Sequence, residues 1–249
     1  MPLIMKIRFD NGFTLIEMAI VLAILALFIG TGLSLLSAEL EQRHVEDSQN
    51  RLNNAREMLI GYALSHAAIS DARPYLPCPD ARPGTSVSTG NVANDGREDR
   101  NATTGACDIQ EGNLPWVTLG LTPQSDAWAN RLRYRVSANF SNRSAGMQLT
   151  YSGNINVLDA ASGGNSIALD VPALILSHGK NGMGAINSAG LSNPMPAGAN
   201  ETANADITVD FVSRAPTSAG AAGGYFDDQI IWLSQYVLFN RLVQAGRLP

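Results

Sequence analysis

Charge is scarce in this chain, aromatic residues are scarcer, and cysteine occurs only twice. Charged residues make up 16% and aromatics 6% of the 249 residues, and the formal charge is −5. A nucleic-acid surface is basic, so an acidic balance with a pI of about 5.1 argues against one. Cys78 and Cys107 have no Cys/His cluster beside them, which excludes a zinc site. "GKNGMG" at 179–184 lacks the G-x-x-x-x-G-K-[ST] spacing of a phosphate loop. His178 has no serine or cysteine nucleophile motif to serve, so its expected role is hydrogen bonding within its loop. No constellation of convergent catalytic residues is present, and no enzyme activity is expected.

The absence of charge is most extended between Met18 and Ala38, 21 residues without one ionisable side chain. As a helix that stretch is about 32 Å long, enough to cross a bilayer core. Lys6 and Arg8 precede it, while Glu39, Glu41, Glu46 and Asp47 follow. Basic residues stay on the cytoplasmic side, so the N-terminus is expected inside and the remainder outside. A cleaved secretory signal needs a shorter apolar region and a small-residue site after it, and "LLSA" at 35–38 is a poor one. A plain anchor leaves Glu17 unexplained, since a carboxylate within a membrane costs about 2.5–3.5 kcal/mol.

"GFTLIEMAIVLAILALFIG", from Gly12 to Gly30, resembles the N-terminal signature of type IV pilins and type II secretion pseudopilins. The resemblance implies a short basic leader, "MPLIMKIRFDNG", removed by a prepilin peptidase after Gly12. Phe13 would become the N-methylated terminus. Glu17, one helical turn on, would pair with the terminal amine of a neighbouring subunit. A buried charge is tolerable when paired and costly when not. Glu17 held at the cytoplasmic interface is the other reading. Gly30 and Gly32 each weaken a helix by up to about 1 kcal/mol relative to Ala. They permit local unwinding or close packing, or are simply tolerated as membrane glycines.

No proline occurs between Phe13 and Pro74, and Leu40, Val45, Leu52, Ala55, Leu59, Tyr62, Ala63 and Ala67 recur at helical spacing. One helix over about 13–70 is expected, with a globular part from 71 to 249. His44 and His66 fall on it as packing or surface residues. The run from Asp71 to Asp108 is rich in Pro, Gly, Asn and Asp, so a long irregular loop is expected. Outside the cytoplasm Cys78 and Cys107 would pair, closing about 30 residues and contributing roughly 3–4 kcal/mol. In a reducing compartment they would stay free.

"DAWANRLRY", 126–134, is similar to the "DxWGNPxxY" segment of secretion pseudopilins, with Ala129 where glycine is usual and no proline. Alternating, β-prone residues suggest a strand at Arg131–Val136, and further strands at Met147–Tyr151, Ala173–Ser177 and Ile207–Val212. The expected fold is α+β, pilin-like, an antiparallel sheet packed on the long helix. Major secretion pseudopilins also carry a calcium-binding loop followed by an acidic pair. Ser177 to Gly182 and Asp227-Asp228 resemble that arrangement, which implies Asn181, Asp227 and Asp228 as calcium ligands. Asn181 stands where the family has aspartate, and residues 181 and 227 are far apart in sequence. The aspartates alternatively cap a C-terminal helix starting near Gln229.

The resemblance implies a filament subunit in the bacterial inner membrane, with a periplasmic globular part. Its partners would be the prepilin peptidase, other pilin or pseudopilin subunits and an inner-membrane assembly platform. Of the two machines, the "DAWAN" and "DDQIIW" segments favour a type II secretion pseudopilus over a minor pilin of a type IV pilus or competence filament. The alternative from another class is a membrane-anchored periplasmic binding module or enzyme.

Overall fold

A computed structural model describes residues 14–122, 125–221 and 223–248, and of residues 28–37 the backbone alone. The elements in chain order are α1 (Leu15–Ser65), β1 (Glu111–Asn113), α2 (Trp116–Leu119), β2 (Arg133–Val136), α3 (Ala138–Ser141), β3 (Ile155–Leu158), β4 (Ser166–Val171), β5 (Ala173–Ser177), α4 (Ala199–Ala205), β6 (Asp210–Val212), β7 (Gln229–Leu233) and α5 (Gln235–Gln244). The chain divides into two units, residues 1–43 and 44–249.

The first unit is helical from Leu15 onward, and α1 passes unbroken through Gly30 and Gly32. Its apolar side chains stand in the open: Leu15, Ile16, Leu22 and Leu27 are all more than half exposed. Among the described residues no helix is long and apolar enough to cross a membrane. The apolar run with described side chains, Leu15 to Leu27, covers only about 20 Å at 1.5 Å per residue. The remainder of the expected span, 28–37, is described by backbone alone. Helix α1 ends at Ser65, short of the expected Ser70. The Ser65 hydroxyl donates to the carbonyl of Gly61 at 3.0 Å, and the chain turns at Ala72, which has φ +60.

The second unit is α+β and built on two sheets. The larger has strand order β1-β2-β5-β7, all antiparallel. One face carries Tyr134, Val136, Ile175, Ile231 and Leu233 and packs on Leu52, Ala55, Leu59 and Ala63 of α1 and on Leu238 and Leu242 of α5. The opposite face, Leu174 and Leu176 with Ile230 and Trp232, meets Ile155, Val157, Val171 and Phe211 of the smaller sheet. Strand β5 is therefore covered on both sides and buried throughout, which is why "ALILS" is apolar without alternation.

The smaller sheet, β4-β3-β6, departs from the expected antiparallel pattern, because β3 and β6 run parallel. The strand expected at Met147–Tyr151 does not form. Met147 is fully buried, but its N–H donates to the carbonyl of Pro74, in the distant loop after α1, and joins no ladder. The strand expected at Ile207–Val212 contracts to Asp210–Val212. No helix starts near Gln229. Residues 229–233 are β7, so Asp227 and Asp228 lead into a strand and cap nothing. Cys78 and Cys107 form a disulfide, with Cα atoms 5.2 Å apart, and pin the irregular loop between α1 and β1.

Candidate functional site

Two places collect the side chains singled out in the sequence. At the helix start, Gly12 and Phe13 lie outside the described residues. The backbone N–H and the hydroxyl of Thr14 donate to Glu17 Oε2 at 2.9 and 2.8 Å. The N–H of Glu17 donates back to Thr14 Oγ1 at 3.3 Å. This is a capping box, which satisfies N–H groups that a helix start leaves open. Glu17 is thus held within its own chain, one turn from the expected cut.

The second place is at the edge of the larger sheet. Ser177, the last residue of β5, pairs with Gln229, the first of β7. That register sets the loop after β5 beside the two aspartates before β7. Asn181 and Asp227 are 46 positions apart, and the chain between them leaves the sheet as an excursion carrying α4 and β6. Gly179 takes φ +59, and a side chain there would stand 2.6 Å from Asp227 Oδ1. Only glycine allows that approach together with a left-handed backbone.

Upstream, the Asp126 carboxylate accepts from the N–H groups of Trp128 and Asn130 and from the Ser177 hydroxyl, the last at 2.7 Å. The Asn130 amide donates to the Gly179 carbonyl at 3.4 Å. Thus "DAWAN" braces the loop after β5. Its Ala129 has φ +65, a conformation natural to the glycine usual in similar segments.

Within the cluster, Asp227 Oδ2 accepts from the Asn181 N–H and the Tyr225 hydroxyl, each at 3.0 Å. Asp228 Oδ2 accepts from the Asn204 amide at 2.8 Å. The other oxygens, Asp227 Oδ1 and Asp228 Oδ1, are buried without a hydrogen-bond partner among the described residues. Glu201, brought in by α4, completes the group, and one ligand atom from each acid lies within 4.8 Å of the others. Burial pushes the carboxyls of Asp228 and Glu201 up to about 7 and raises Asp227 as well.

The Asn181 amide N–H donates to Glu201 Oε1 at 2.9 Å, and its Oδ1 accepts from Met183 N–H. It orients the acids, and its Oδ1 keeps a second lone pair. His178 is buried, with both ring nitrogens unbonded and Nδ1 3.7 Å from Asp228 Oδ1, so the expected loop hydrogen bond is not made. Burial, reinforced by Arg133 and Arg82, holds the imidazole well below its ordinary range.

Glu201 was not singled out from the sequence. The available signal was its isolation as the lone acid between Asp170 and Asp206. The three acids fit a divalent cation. Oxygens bound to one calcium at 2.3–2.6 Å stand up to about 5 Å apart, and two carboxylate oxygens here have no hydrogen-bond partner among the described residues.

Comparison with known families gives a match at the other end of the chain. Residues 7–33 match the prokaryotic N-terminal methylation motif. The chain therefore carries a prepilin-type N-terminal signal. No curated protein and no solved structure gives a significant match.

Proposed function

We propose that this protein is a structural subunit of a type II secretion pseudopilus or a closely related filament. The observation that carries the reading is the N-terminal methylation motif over 7–33, with Glu17 one helical turn beyond the expected cut. In this reading prepilin peptidase cleaves after Gly12 and methylates the amine of Phe13. The apolar part of α1 sits in the inner membrane with its N-terminus inside, until an assembly platform draws the subunit into the filament. Glu17 then exchanges its bonds to Thr14 for the ammonium group of a neighbour. The mature N-terminus tests this. N-methylphenylalanine at Phe13 is the expected mass, whereas an intact Met1 or a cut near Ala38 overturns it. Glu17→Val is expected to leave cleavage normal and to reduce filament assembly at least about tenfold, since an unpaired ammonium would remain buried.

A second reading concerns the acidic cluster, and the unpartnered Asp227 Oδ1 and Asp228 Oδ1 support it. Glu201, Asp227 and Asp228 bind calcium, with backbone carbonyls and water completing the shell and Asn181 orienting two of the acids. The ion supplies positive charge to buried carboxylates and staples α4 to the sheet. Unchanged thermal stability on chelation and calcium addition overturns it.

A further inference from the structure

Strand β7 ends the larger sheet, and its outer edge pairs with no strand among the described residues. Its sequence, Gln-Ile-Ile-Trp-Leu, has no charge and no proline, and its five pairs with β5 are in unbroken register. Such an edge is a template for another strand, and proteins ordinarily blunt it. The other edges here are blunted. Outside β1 the chain returns through Asp80, bridged to Asn113, along a run holding Pro77 and Pro79. Strand β4 joins β3 through two register shifts and holds Asp170 at φ +55. Strand β6 is three residues long and begins at a charged residue, Asp210.

The open edge also has room beside it. A groove of about 490 Å³ runs between Ile230–Ser234 and a wall formed by Arg56 and Glu57 of α1 with Val237 and Arg241 of α5. A second, of about 340 Å³, lies between Trp232 and the Ala168–Val171 stretch of β4, under Tyr236. In the first wall one carboxylate, Glu57, lies 3.7 Å from both Arg56 and Arg241, so a positive charge is left over.

We propose that β7 accepts an extended strand from a different polypeptide, one with apolar residues at alternate positions and an acidic residue at the Arg56–Arg241 wall. Main-chain bonds to the edge supply affinity, and the two grooves take alternate side chains. A second copy of the chain is the poorer occupant. Its one regular open edge is β7 itself, and antiparallel β7–β7 pairing needs a two-fold axis normal to the sheet. Strand β7 also carries no carboxylate to face the Arg56–Arg241 wall of a second copy.

The test uses the full chain in detergent micelles and the synthetic peptide acetyl-Val-Thr-Val-Thr-Val-Glu-amide, read by amide hydrogen exchange. Saturating peptide is expected to slow exchange within Gln229–Leu233 about tenfold, as new strand bonds form. The same peptide N-methylated at alternate backbone nitrogens gives no protection. Arg241→Glu transfers the preference to a peptide ending in lysine. Ile230→Lys, checked for an intact disulfide and far-UV spectrum, weakens protection about tenfold by charging the edge. The proposal is overturned by absent protection, by protection that survives N-methylation, by indifference to Arg241→Glu, or by cross-linking of β7 to β7 between copies. The mass of the Phe13 terminus is read on the same sample, so failure here and failure of the filament reading register separately.

Discussion

Ala129 is held at φ +65, where a side chain crowds the following carbonyl at a cost of about 1–2 kcal/mol. Ala129→Gly is expected to stabilise the protein by about 1 kcal/mol once the extra freedom of the unfolded glycine is deducted, and to raise its melting temperature by about 2–4 °C. Thermal unfolding checks it. The position was legible as an oddity, an alanine where similar segments have glycine, but its conformation was not. Asp227 and Asp228 were legible as a pair and misread as a cap, because nothing local tells whether "QIIWL" opens a helix or fills a strand. Their environment makes a pH prediction. Asp228 and Glu201 have folded values near 7, above those of an unfolded carboxyl. The folded state therefore holds extra protons, and the stability they bring is complete below about pH 4. It is lost as pH rises through about 7. With a chelator present the melting temperature is expected to fall between pH 5 and pH 8, and calcium is expected to flatten that fall by taking the place of the protons.

Among the elements, α1 and β5 were the most legible and the smaller sheet the least. Helix α1 showed itself by a long proline-free stretch with helical periodicity. Strand β5 showed itself as a short continuous apolar run. Strand β4 escaped because its residues are mostly exposed and its register with β3 shifts twice, which breaks the two-residue alternation. Met147 misled in the opposite sense, as an apolar residue buried in irregular chain against the Pro74 segment. The loop between α1 and β1 was expected from its composition, but its order was not. The Arg100 guanidinium stacks on Tyr75, with its carbon 4.9 Å from the ring centre, and donates to the carbonyls of Leu76, Gly105 and Ser141. Replacing both cysteines with serine is expected to cost about 3–4 kcal/mol through the freed unfolded chain, measured by denaturant titration. Because Arg100 still gathers the loop, the folded backbone should be retained in the double variant.

At the scale of the molecule, the two units rest on different sources of stability. Both hydrophobic clusters draw only on residues from Leu52 onward. A chain beginning at His44 is therefore expected to melt within about 4 °C of the full protein, the shift that about 1 kcal/mol produces at this size. Calorimetry of the two forms decides it. The signal for assembly is confined to residues 7–33, and it was the most readable part of the sequence because processing requires a contiguous motif. Sites made by sheet register leave no such contiguous trace.

The strand order β1-β2-β5-β7 fixes a sequence of events as well as a shape. Strand β5 is central, yet its last neighbour is encoded only at residues 229–233, beyond α4 and β6. During synthesis the face of β5 that packs on α1 can be covered early. Its β7 flank must wait until the chain has passed through α4 and β6. Pairings between distant segments form slowly, so the emerging chain passes through an interval with β5 as a bare edge. That interval is when a chaperone has most to protect, and it ends only when Gln229–Leu233 arrives.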